Sequence, residues 1–133
     1  MPYERKEITT SKKLSALRQI NAAIEHFHNG EFECAITLAA AAEGLLPDGQ
    51  SPSLFRELVQ RATDLDFNLF INWLKHPVAP EKVTISDFEA AMVIARAISK
   101  FFAVYSQSTR RFEEFAVWAR EAGLIPPDPE KSN

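Results

Sequence analysis

The sequence predicts an all-α protein, an antiparallel bundle of five to six helices. Three observations carry that expectation. Apolar residues recur at helical spacing in several separate stretches, capping and turn residues punctuate those stretches, and nothing alternates with period two over a useful length. The chain has 133 residues, 46% of them hydrophobic and 25% charged, enough for one domain to close a core without disulfides or metal. The expected division is an N-terminal extension over 1–10, a single helical-bundle domain over 11–123 and a flexible C-terminal tail over 124–133, "LIPPDPEKSN".

Residues 11–29 read as the first helix. Leu17, Ile20, Ile24 and Phe27 share a face, Ser11 suits the N-cap, and Gly30 is free to take the positive φ of a helix stop. The second helix, about 31–46, carries "LAAAAEGLL", a run of small residues that lets a neighbouring helix approach closely. "PDGQSP" (47–52) then breaks the chain. A third helical stretch begins at Ser51 or Ser53 and continues, with a bend near Asp64, into "DLDFNLFINWLKH". "PVAPEKVTI" (77–85) reads as a loop.

Ser86 opens the clearest helix. "SDFE" is a capping box, in which Ser86 and Glu89 satisfy each other's backbone amides. Past Asp87 and onward to about Gln107 the only charges are Glu89, Arg96 and Lys100, separated by seven and four residues and so confined to one stripe. A helix with so little polar surface belongs at the centre of the bundle. The last helix, about 109–122, is expected to pack Phe112, Phe115, Val117 and Trp118 and to show Arg110, Arg111, Glu114 and Glu121 to water, with Gly123 as its stop.

Composition narrows the function classes. A net charge of −3 gives no global electrostatic reason for tight nucleic-acid binding. The single cysteine, Cys34, has no disulfide partner and sits in an apolar helix, which favours a reducing cytoplasm. No apolar stretch follows the charged "MPYERKEITTSKK" as a leader would need, and the most apolar run, "CAITLAAAAEGLL", is about a dozen residues, too short to span a membrane and interrupted by Glu43. His26 and His28 are two apart, the wrong spacing for a metal pair on a helix, so no metal and no cofactor are expected. Phosphate loops, nucleophile elbows and zinc-protease motifs are missing.

Two features stand out as candidate chemistry. Asp64, Asn68, Asn72 and His76 are spaced by four and form one polar stripe with Lys75 alongside, opposite Phe67, Phe70, Ile71 and Leu74. A solvated face is the plainer reading of that stripe, but asparagine is a middling helix former where Glu, Lys or Gln would serve. Glu43 shares a helix azimuth with Phe32, Ile36 and Ala39, so its carboxylate needs water at an edge or a partner. The edge position is the plainer reading; a buried Glu43 would instead accept from Asn72, Lys75 or His76.

Taken together, "ALRQINAAIEHFHNGEFECAITLAAAAEGLL" and "NWLKHP" resemble a group of small bacterial HEPN-like proteins. In these a hairpin with a G-E-[FY]-x-x-A-I-T-L-A-x-A-A-E run precedes an R-N-x-x-K-H segment. The likeness spans most of residues 14–118, including "FFAVY" and "FEEFAVWA". It implies an all-α bundle, dimeric, with RNA cleavage and toxin–antitoxin or defence roles, in which His acts as acid or base and Arg holds phosphate. Carried onto this chain, His76 matches the His, Asn72 the polar residue and Lys75 the preceding Lys, while Ile71 stands where the Arg belongs. Isoleucine cannot bind phosphate. The expectation is therefore a non-catalytic, homodimeric HEPN-like component, with Asn72 and His76 as the remnant catalytic pair and Glu43, Asn68 and Lys75 as binding residues. Its expected partners are RNA or a nucleotidyltransferase-like or antitoxin-like protein, with no membrane association. The alternatives are a metal-independent ribonuclease using His76 and an adaptor of the tetratricopeptide type. That last fold shares the G-E-[FY]-x-x-A hairpin, but no repeat of about 34 residues is present here.

Overall fold

The computed structural model describes residues 2–47 and 67–125. The expected helix start at Ser51 or Ser53, the bend near Asp64 and the segment from Pro126 onward lie outside the described residues. Within them the fold is all-α, a bundle of five helices with no strand: α1 (Lys12–His28), α2 (Phe32–Gly44), α3 (Phe67–Lys75), α4 (Asp87–Tyr105) and α5 (Arg110–Glu121).

Local sequence sets the ends of these helices. Ser11 caps α1, its hydroxyl accepting from the Leu14 amide at 3.0 Å. Gly30 ends α1 with φ +77°, and the Glu31 amide closes back onto the His26 carbonyl at 2.9 Å. The Glu31 carboxylate also meets the His26 ring at 2.9 Å, bracing the turn into α2 from outside. Ser86 and Glu89 close the expected capping box, with the Ser86 amide donating to the Glu89 carboxylate at 3.0 Å. Thr109 caps α5 through the Phe112 amide at 3.1 Å, and Gly123 (φ +75°) ends it.

Packing follows from side-chain size. α1 and α2 form a hairpin, and α4 lies against both, while α3 rests on α2 and α5 on α1 and α4. Ala16 and Ala23 of α1, Ala35, Ala39 and Ala42 of α2, and Ala90, Ala91 and Ala97 of α4 are completely inaccessible. Residues this small bring helix backbones close together and leave no room for a larger side chain. Phe101, Phe112 and Phe115 supply bulk, with Phe101 and Phe112 edge to face at 5.5 Å between centroids.

α4 is the central helix that its charge pattern predicts. Ala90 to Ala95 are buried in an unbroken run, so the helix is enclosed all round at that level. α5 departs from its expectation. Its buried residues are Phe112, Phe115 and Ala119, whereas Val117 is 46% and Trp118 41% exposed. Position 119 takes the place expected of 118, because the core side of the helix runs through positions 112, 115 and 119. Ile125, just past the helix, returns to the core, with its amide and that of Leu124 directed at the Ala119 carbonyl.

Candidate functional site

The corner picked out by the sequence is the C-terminal end of α3. Ile71 and Leu74 pack against the core on the α2 side, which turns Asn68, Asn72, Lys75 and His76 outward, all of them exposed. The amphipathic spacing thus places the polar stripe as read. Asp64, at its upstream end, lies outside the described residues.

Hydrogen bonds from backbone and indole hold the corner. The His76 amide donates to the Asn72 carbonyl at 3.1 Å, closing the last turn. The Trp73 indole N–H donates to the Pro80 carbonyl at 2.6 Å, tying the loop after α3 back onto the helix. Lys75 stands in the last turn, where the helix dipole favours a cation.

The imidazole of His76 and the side chains of Asn72 and Lys75 make no hydrogen bond or ion pair among the described residues. A general acid–base pair needs a second group that orients the imidazole or stabilises developing charge. The sequence expectation assigns that role to an arginine at position 71. Here the position is a half-buried isoleucine embedded in apolar contacts, and so it is part of the bundle's packing.

Glu43 does acquire a cation, but not from α3. Its carboxylate accepts from Arg96 Nε at 2.8 Å, and both side chains are less than a fifth exposed. Lys100 Nζ donates to the Glu43 backbone carbonyl at 3.2 Å. The expected convergence of Glu43 with Asn72, Lys75 or His76 is therefore corrected: its ion pair is made with α4. The reason lies in the packing, because the polar stripe of α4 runs along the C-terminal end of α2. α2 has no basic residue in its own last turn. Arg96 and Lys100 bring positive charge to that helix end from outside, where the dipole is negative. The signal was present in the sequence as one acid on an apolar strip and two cations on an otherwise apolar helix.

Of the two histidines of α1, His26 bonds Glu31, and His28 lies in an aromatic cluster, 5.2 Å from Trp118 and 5.5 Å from Phe27. No group of three metal-ligating side chains occurs among the described residues. No described helix is long and apolar enough to cross a membrane. Cys34 is half-buried, and its thiol is pushed up from the ordinary value, first by burial and then by the Glu33 and Glu31 carboxylates. The shift keeps sulfur protonated, the opposite of what an activated nucleophile needs. Comparison of the chain with protein-family models, with curated proteins and with solved structures finds no match.

Proposed function

We propose that this chain is a non-catalytic HEPN-like protein that acts by binding, as a homodimeric regulatory component in a bacterial stress, toxin–antitoxin or defence setting. The observation that carries the reading is Ile71. Where the resembled segment keeps its phosphate-holding arginine, this chain has an isoleucine packed into the bundle, beside an exposed Asn72 and His76. The all-helical bundle and the α1–α2 hairpin carrying "GEFECAITLAAAAE" are consistent with it. In this reading Asn68, Asn72, Lys75 and His76 form a polar binding corner, and Glu43 with Arg96 fixes the packing of α2 against α4.

The test is incubation of the purified chain with unstructured and folded RNAs in the presence of a chelator. The expected outcome is intact RNA and, by sedimentation, a dimer. Metal-independent cleavage that follows the protein through purification overturns the non-catalytic reading, and a strict monomer overturns the homodimer.

A further inference from the structure

We propose that the surface around Trp118, made of the groove between α1 and α5 together with the adjoining depression on α5, docks a basic amphipathic segment of another protein. The groove, about 480 Å³, is lined by Ile24, Glu25 and His28 on one side and by Arg111, Glu114 and Trp118 on the other, over a floor that includes Phe115. Trp118 is also the wall of a second depression of about 470 Å³, shared with Glu114 and extended by Val117, Glu113 and Glu121. No residue of α3 lines either depression, so the inference stands apart from the His76 corner.

The indole is both exposed and fixed. Trp118 is 41% accessible, yet its ring is wedged edge to face against Phe27 at 5.4 Å and His28 at 5.2 Å. A held aromatic surface loses little freedom on binding, and tryptophan is over-represented among the residues that dominate interfaces. Val117, 46% accessible, extends the apolar strip along α5.

Charge selects the occupant. Around Trp118 stand four carboxylates, Glu25, Glu113, Glu114 and Glu121, against the guanidinium groups of Arg110 and Arg111. Arg110 is already paired with Glu114 at 2.8 Å, so Glu25, Glu113 and Glu121 outnumber the remaining Arg111. A second copy of the chain would bring this acidic rim against its own likeness, which like-charge repulsion opposes. A helix with apolar side chains on one face and lysine or arginine beside them fits both features. Its apolar face lies along Val117 and Trp118, and a cation stacks on the indole between the carboxylates.

The test uses the full chain and two labelled synthetic helical peptides, one with leucine and lysine faces and one with glutamate in place of every lysine. Binding is read by fluorescence anisotropy. The lysine peptide is expected to bind, more weakly as salt rises, and the glutamate peptide is expected not to bind. Trp118→Ala, and separately the exposed double change Glu113→Lys with Glu121→Lys, are each expected to weaken binding about tenfold through lost stacking and lost charge attraction. The double change keeps the test valid where Trp118→Ala fails to fold. Glu7→Lys with Glu81→Lys, equal in net charge but away from the groove, is expected to leave affinity almost unchanged. Absence of binding, or equal losses in the variants around Trp118 and in the control variant, overturns the proposal. So does a dimer that Glu121→Lys dissolves, which would make a second copy the occupant.

Discussion

Removing the Glu43–Arg96 pair is expected to loosen the bundle at the junction of α2 and α4, and the structure sets the size of the effect. The bond is 2.8 Å, and the side chains are 18% and 17% exposed, between the limits of a surface bridge and a sealed interior pair. Exposed pairs contribute about 0–1 kcal/mol, whereas breaking a fully buried pair costs about 3–5 kcal/mol. A charge-assisted hydrogen bond nets about 1.5–3 kcal/mol, so Glu43→Ala is expected to cost about 2 kcal/mol. Arg96→Ala should cost more, about 3 kcal/mol, because it leaves the short Glu43 side chain unpaired and also strips an apolar stem from the packing. Glu43→Gln retains an acceptor for Arg96 Nε and should cost about 1 kcal/mol.

The assay is urea denaturation followed by far-UV circular dichroism for wild type, both alanine variants and the double variant. A coupling energy of about 1.5–2 kcal/mol is expected from the cycle. It should persist when salt is raised, because the pair is shielded from most of the solvent. A coupling near zero, or one abolished by moderate salt, would refute the view that this contact fixes α2 on α4.

Ala42→Leu forces extra methylenes between closely packed helices and should destabilise by about 1–3 kcal/mol, read as a lower urea midpoint; an unchanged midpoint means that the interface has room. Cys34 should be alkylated by iodoacetamide more slowly than a free thiol at pH 8, since a raised pKa leaves less thiolate at any given pH. Its pH–rate midpoint should fall only part of the way back in Glu31→Gln/Glu33→Gln, because burial, the largest single cause, remains. Full recovery would assign the shift to the carboxylates.

Legibility in the sequence varied with the range of the interaction. Ser11, Gly30, Ser86 and Gly123 act on their own helix ends, so their roles could be read directly and the structure repeats them. The outward stripe of Asn68, Asn72 and His76 followed from the apolar positions opposite it. Glu43 was legible as an acid needing a partner, but which partner depends on which helix lies across it, and spacing within one helix does not encode that. Trp118 shows the same limit. It borders the buried side of α5 on a helical wheel, and the packing of neighbouring helices on α5, which spacing within α5 does not encode, leaves Ala119 sealed and the indole open. Ile71 is legible as an apolar position opposite the polar stripe, and its half-burial against the core shows that it serves packing.

The most direct test of the non-catalytic reading is a time course of RNA cleavage with wild type and His76→Ala side by side, in chelator, each checked for fold by circular dichroism. His76 is exposed and lacks a side-chain partner among the described residues, so the substitution should leave the fold intact. The expected result is two indistinguishable traces at the level of the buffer. Cleavage by wild type that His76→Ala abolishes would contradict the account and make α3 a working active site without its arginine.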